Sequence, residues 1–424
     1  MDLFGRVSRD ERQEQSRVTW IKNKCKGTLV MPTGLGKTRI GLNCIKSLIN
    51  KRPGSRVIII VPTDVLQQQW KSELIDWGLI LYCEVVVINT AIKHSWKCDL
   101  LIIDEIHRVA ANSFKQVFEK IQYKMILGLT ATFERLDGQE KIISEYCPVI
   151  DSVSIQEALF NGWVSQFREY LVLINVDDIE TYKQYNNDFV KHFEFFNFDF
   201  KLAMKMIGKE GYKYRIAYRD QLLPANASIE SKSDMFKAVT IHAMGFMRAL
   251  QQRKSFIYNH PKKVEVARKI INARSNSKII TFSNSIKMAD SIGIGETFSG
   301  KLSKKKGRTT IEEFNTKSVG VMNSIKKVIE GMDVKGLSVA INLGLDSSEI
   351  KAVQKLGRVI RFEEGKEAEM FNIVINNTAE TKWFYDSHKK SNFITIDEEN
   401  LEKVLENKEY KEYTKPIAKL SYRF

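Results

Sequence analysis

No apolar run in this chain of 424 residues approaches the length of about 20 that a membrane-spanning helix requires, and the opening MDLFGRVSRDERQEQSR is too charged for a signal peptide. Those two absences make a soluble, intracellular chain the expectation. Cysteine is scarce. Cys25, Cys44, Cys83, Cys98 and Cys147 all fall in the first third and none forms a CxxC pair, so neither a zinc site nor a disulfide framework is indicated. They read as small buried apolar residues. No internal repeat and no low-complexity segment stands out. At this length two domains are expected, and a hydrophobic content of 43% is enough for real cores.

Positive charge, by contrast, is plentiful. Lys and Arg number 66 against 51 Asp and Glu, a formal net charge of +15. Such a balance serves solubility or a polyanionic partner. Its distribution favours the partner: residues 232–274 hold ten Lys/Arg against Asp234 and Glu265, so +8 of the +15 lies there. The tail after Thr381 is close to charge-balanced and makes no basic arm.

The most informative stretch is MPTGLGKT, residues 31–38. GTLVM before it reads as a short buried strand, and residues 39–49 after it carry apolar side chains at helical spacing. The stretch is then a turn from strand to helix. Gly34 and Gly36 permit a tight backbone with N–H groups turned inward, at a helix N-terminus that favours an anion. Lys37 can reach outer phosphates and the Thr38 hydroxyl can hold Mg²⁺. One departure from the phosphate-loop pattern is Met31 in place of its first glycine.

Further strands are expected at 56–61, 84–88, 100–103 and 125–129, alternating with helices; Asp64 is expected to cap one helix, which carries Trp70. That alternation predicts a doubly wound α/β domain whose ligands sit at the carboxyl ends of the strands. Residues 100–103 run straight into Asp104-Glu105-Ile106-His107. Two carboxylates at a buried strand end cost free energy unless a cation compensates, and nucleotide-bound Mg²⁺ would do so. Asp104 is assigned to the metal and Glu105 to positioning the attacking water. The pattern loosens around 147–162, where the domain boundary is placed. A helical insertion follows over 182–259, with Phe189, Phe193, Phe196, Phe200 and Met204 at helical spacing and read as core rather than as base-stacking aromatics. Strands resume at 278–282, 319–322, 337–342 and, as the last, 370–376, with a basic loop at 301–308. This second sheet has no phosphate loop of its own. Gln354, Arg358 and Arg361 share one helical face there, either as surface charge or as arginine fingers toward a γ-phosphate held by the first domain.

With these residues in place, the chain resembles a superfamily-2 helicase from about Gln13 to Arg361. Gln13 falls where that family reads adenine. MPTGLGKT resembles motif I, in which Thr33, Gly34, Gly36, Lys37 and Thr38 would bind ATP and Mg²⁺. VPTDVLQQQW (Pro62 and Thr63) resembles motif Ia and Asn89-Thr90 motif Ib, both contacts to nucleic-acid backbone. DEIH is a variant of DEAH. TAT, with Thr130 and Thr132, resembles motif III and with His107 would couple hydrolysis to movement. ITFSNS with Ser283 is similar to motif IV, the stretch from Ser324 to Asp333 to motif V, and QKLGRVIR to motif VI. The resemblance implies two RecA-like parallel-sheet domains, 1–155 and 156–424, with a helical insertion at about 178–260 of the second. Ser283 and Ser324 would touch nucleic acid, and Asp333 and Gln354 nucleotide. LGLTATFERLDG (127–138) and GWVSQF are similar to the phage UvsW-like and XPB-like DNA helicases; a cytoplasmic location is expected, that of the host cell if the chain is phage-encoded. Two departures leave substrate preference open: Phe133 stands where proline is usual, and only a dozen residues precede Gln13, so the separate N-terminal DNA-binding domain of some relatives is not expected.

The function expected is ATP-driven unwinding or remodelling of forked and branched DNA in replication, recombination or repair. An RNA helicase or a restriction-system motor subunit would share every motif, and an ATP-gated DNA clamp is the alternative outside catalysis. Arg253 and Lys254, in the basic segment, are expected to touch DNA.

Overall fold

Strand after strand in this chain lies buried on both faces, which a parallel sheet clothed by helices requires. The computed structural model describes residues 6–110, 116–131, 140–298, 304–325, 334, 336–345, 367–388 and 392–410. The first lobe runs α1 (Arg9–Lys22), β1 (Lys26–Val30), α2 (Lys37–Lys51), β2 (Val57–Val61), α3 (Asp64–Asp76), β3 (Cys83–Val87), α4 (Ile88–Ala91), β4 (Trp96–Asp104), α5 (Gln116–Lys120), β5 (Ile121–Thr130), α6 (Glu140–Tyr146), β6 (Val149–Ser152) and α7 (Ile155–Phe160). Its strands pair in parallel in the order β3-β2-β4-β5-β1-β6. The VIIIV run of β2 is buried at every position. Ser8 and Glu11 close a capping box at the start of α1. Thr63, not Asp64, caps α3: its Oγ1 accepts from Leu66 N at 3.3 Å, and Asp64 sits in the first turn.

The second lobe begins with β7 (Gln166–Ile174). Four helices follow, α8 (Ile179–Glu194), α9 (Phe200–Ile207), α10 (Gly211–Leu222) and α11 (Ile229–Asn259). The sheet then resumes through α12 (Pro261–Ala273), β8 (Lys278–Ser283), α13 (Ile286–Ser291), β9 (Glu296–Phe298), α14 (Lys304–Thr316), β10 (Gly320–Ile325), β11 (Val339–Asn342), β12 (Glu367–Ile375), α15 (Ala379–Ser387), β13 (Ile394–Asp397) and α16 (Glu398–Leu405). Among the described residues the order is β13-β7-β12-β11-β8-β10-β9, again all parallel. The molecule is therefore two RecA-like α/β units, with helices α8–α11 inserted between two strands of the second sheet.

Three strands escape the sequence pattern: β6, β9 and β13. Each is four residues or fewer and lies at a sheet edge, and β13, rather than β12, is the last. Edge strands that bury little give no apolar run to read. The segment expected as a basic loop is helical from Lys304 onward.

The insertion has its own core, built on Phe189, Phe193, Phe196, Ala243 and Phe246. Phe200 and Met204 leave the apolar stripe and stand 47% and 39% exposed. Arg253 corrects the expectation of a DNA contact there. It is 4% exposed, its guanidinium lies 4.1 Å from the centroid of the Phe189 ring, and Nη1 donates to Asn186 Oδ1 at 3.2 Å. That cation ties α11 to α8. The basic segment beyond it is likewise spent on structure. Lys263 is buried against Glu380, Arg268 donates to the carbonyls of Ser291 and Ile292, and Arg274 pairs with Glu369. Lys254 is half-buried.

Candidate active site

The register of the first sheet assembles the site. β5 lies between β1 and β4, with Val30 opposite Thr130 and Asp104 opposite Leu129. The turn after β1, the acidic end of β4 and Thr130 at the end of β5 therefore meet at one carboxyl edge.

In the turn, Gly34 and Gly36 take φ of +95° and +89°, in the left-handed region open to glycine. A side chain at Gly36 would also run into the Gln13 amide. Gln13 is buried and its Nε2 donates to Leu35 O at 2.8 Å, so α1 is docked onto the turn through this side chain. Met31 explains the departure from glycine. Its side chain is fully buried, its N donates to Thr130 O at 2.8 Å, and its carbonyl accepts from Lys37 Nζ at 3.1 Å. The position contributes backbone to the turn and side chain to the core. Thr33 and Thr38 are half-buried on the turn.

Asp104 is 7% exposed, and both its oxygens are engaged: Oδ2 accepts from Trp70 Nε1 at 2.9 Å and Oδ1 from Glu105 N at 3.0 Å. Burial, with Glu105 beside it, pushes its pKa up to about 6, while the Trp70 indole and Lys37 pull the other way. Glu105 takes φ +51°, left-handed for a residue with a side chain, a strain of order 1–3 kcal/mol of the kind that collects at working sites. Glu105 Oε2 is buried without a hydrogen bond, 3.4 Å from His107 Nδ1. His107 Nδ1 is 2.9 Å from Thr130 Oγ1, which joins the DEIH stretch to the TAT stretch.

This donor set fits a phosphate-bound Mg²⁺. Among the described residues no group of three His, Cys, Asp or Glu could hold a metal alone. A buried, proton-prone carboxylate beside a phosphate turn suits an ion that takes one protein carboxylate and completes its shell with a hydroxyl, phosphate and water. Asp104 and Thr38 would hold it, and the ion would neutralise charge on the terminal phosphates.

The nucleic-acid assignments fall on the other half of the same edge. Half-buried Pro62 and Thr63 follow β2, and exposed Asn89 and Thr90 lie on α4 after β3. In the second sheet Ser283 and Ser324 end neighbouring strands but are fully buried, so neither hydroxyl is presented to a ligand in this conformation. Thr132, Asp333, Gln354, Arg358 and Arg361 lie outside the described residues. Sequence reading placed Trp70 on a helix face but missed its bond to Asp104. It also missed Arg12, which grips Asp151 through two hydrogen bonds of 2.7 and 2.8 Å and fixes α1 to the end of β6.

Residues 7–88 and 88–135 match the family described as type III restriction enzyme, res subunit, and 262–363 the helicase conserved C-terminal domain. The chain is a superfamily-2 helicase. As such it is an ATP-hydrolysing enzyme that acts on nucleic acid. It is 24% identical to the DNA 3'-5' translocase XPB2 of Sulfurisphaera tokodaii, over 89% of this chain and 84% of that protein. It is 31% identical to QP509L of African swine fever virus, named as a candidate ATP-dependent RNA helicase, over 32% of this chain and 31% of that one. Less than a third of the viral protein is thus matched. In fold this helicase is similar to S. cerevisiae Dbp5 bound to RNA and ADP BeF3, with a TM-score of 0.59 and 12% identity over 93% of this chain and 91% of the other. No helix among its described residues is long and apolar enough to cross a membrane.

Proposed function

We propose that this helicase is a DNA translocase that uses Mg·ATP to unwind or remodel forked and branched duplexes. The single observation behind the hydrolytic half is the cluster of Lys37, Asp104, Glu105, His107 and Thr130 at one strand edge, with a buried carboxylate and a strained neighbour. Lys37 would bind the outer phosphates, Asp104 and Thr38 the metal, Glu105 the attacking water, and Gln13 the adenine side. The His107–Thr130 bond would pass the state of the γ-phosphate to the segment that follows β5. Arg358 and Arg361 would complete the site from the second lobe. The domain boundary proposed with this assignment lies between α7 and β7, a few residues beyond the 155/156 limit expected from sequence.

DNA is preferred because a relative matched over 89% of this chain and 84% of its own length is named a DNA translocase. RNA is the second reading, on the strength of the shorter viral match. Branch migration of the phage UvsW-like kind, in recombination or repair, is the substrate we favour within DNA. The test is ATP hydrolysis measured in parallel with single-stranded DNA, a fork, a four-way junction and RNA. Stimulation by fork and junction above RNA supports the proposal, and greater stimulation by RNA overturns it. Lys37→Ala and Glu105→Gln should each abolish turnover while leaving nucleic-acid binding and cooperative melting near those of the parent. Near-full ATPase in either variant would remove that residue from the site, and tight binding with no turnover in the parent would leave an ATP-gated clamp.

A further inference from the structure

Trp70 sits where the two halves of the strand edge meet. It is carried by α3, whose first turn follows directly on Pro62 and Thr63, and it is 1% exposed. One side of the indole lies against the phosphate-turn helix α2: a Cβ added at Gly41 would come within 2.8 Å of Trp70 Cη2. The other side delivers Nε1–H to Asp104 Oδ2 at 2.9 Å. Asp104 Oδ1 is oriented only through its neighbour's backbone, from a residue of left-handed φ. The indole is thus the side-chain donor that fixes the carboxylate plane, and its own position is set by α2 and α3. The contact beside Gly41 is made by the apolar benzo-ring carbons Cη2 and Cζ3, so packing there asks for apolar surface and not for the N–H that faces Asp104.

We infer that Trp70 is a positioning residue for the metal step: its N–H holds Asp104 in the orientation that receives nucleotide-bound Mg²⁺, and so makes helix α3 part of the nucleotide site. The inference rests on the assignment of Asp104 to the metal. A hydrogen bond to a buried charged group contributes enough that its loss should weaken metal-dependent binding about tenfold or more.

The experiment titrates a fluorescent ADP analogue into the full-length chain, with Mg²⁺ and with EDTA, for the parent, Trp70→Phe and Asp104→Asn. It also records the Mg²⁺ concentration giving half-maximal ATPase in the parent and in Trp70→Phe. The expected result for Trp70→Phe is a loss of about tenfold in Mg²⁺-dependent affinity, unchanged affinity in EDTA, and a higher Mg²⁺ requirement. A structural role alone would move neither the Mg²⁺ requirement nor the difference between the two titrations. If Trp70→Phe melts well below the parent, Gly41→Ala replaces it, displacing the indole from the α2 side with its N–H intact, and the same loss is expected. If Asp104→Asn keeps full Mg²⁺ dependence, the metal assignment fails and takes the inference with it. If Asp104→Asn loses that dependence while the Trp70 or Gly41 variant keeps it, the metal assignment stands and the inference about Trp70 is overturned.

Discussion

Lys263 and Glu380 form a fully buried ion pair, with Lys263 Nζ 2.6 and 2.7 Å from the two carboxylate oxygens and 3.0 Å from Leu343 O. Glu380 Oε2 also accepts from Ile375 N at 3.1 Å. Burial lowers the Lys263 pKa and raises that of Glu380, and each charge opposes the effect on the other. Such a pair contributes little net stability, yet either member alone would be a buried charge without compensation. Glu380→Gln should therefore destabilise the second lobe by about 3–5 kcal/mol. The double change Lys263→Met with Glu380→Leu should recover most of that loss. Thermal melts of the three proteins decide it; equal losses in the single and double variants would mean that the pair is favourable in its own right. No sequence pattern distinguishes Lys263 from Lys262, its neighbour, which pairs at the surface with Glu265 and Glu398.

At the scale of elements, the basic character of the insertion moves. With Arg253 in the core and the cations of α12 engaged by carboxylates or carbonyls, a cluster of exposed cations remains on α9, α10 and the turn between them. Lys201, Lys205, Lys209 and Lys213 are exposed there, beside exposed Phe200, Tyr212 and Tyr214, and Lys205 Nζ stands 5.6 Å from the Tyr214 ring centroid. Cations interleaved with aromatic rings suit a nucleic-acid strand. Changing Lys201, Lys205 and Lys209 to Gln should weaken binding to forked DNA with melting unchanged. The slope of log K against log salt should become shallower by ~0.9 for each duplex phosphate that the protein no longer neutralises. An unaltered slope would place the DNA surface elsewhere. Arg253→Gln should act differently, lowering the melting temperature of the insertion before it alters any salt slope.

For the whole molecule, the linker between the sheets packs as part of the first lobe. Trp163 Nε1 donates to Val7 O at 2.7 Å, and Val7 N donates to Asn161 Oδ1 at 3.0 Å. Trp163 and Val164 join a core cluster that also contains Phe282 and Met322 of the second sheet. A site shared between the lobes is what the proposed role of Arg358 and Arg361 requires. Arg358→Ala or Arg361→Ala should lower kcat by about 10³-fold or more, with nucleotide affinity changed far less. Steady-state turnover beside nucleotide titration checks this; unchanged kcat in both variants would reduce the pair to surface charge.

The alternation of buried strands and helices, the phosphate turn, and the DEIH and TAT strand ends were legible in residue order, because each depends on interactions within a few residues. β-Strands buried on both faces must be apolar throughout, and an anion turn must have glycine where φ is positive, as at Gly34 and Gly36. Tertiary structure alone decided which cations face water. Lys263 is written in the same letter as Lys201 and Lys205, and only the elements packed over it differ. It alone decided the edge strands β6, β9 and β13, which exist by pairing with a neighbour rather than by burying themselves. It also brought Trp70 to Asp104, 34 residues apart, because hydrogen-bond partners across a sheet are set by strand order and helix packing, which periodicity does not encode.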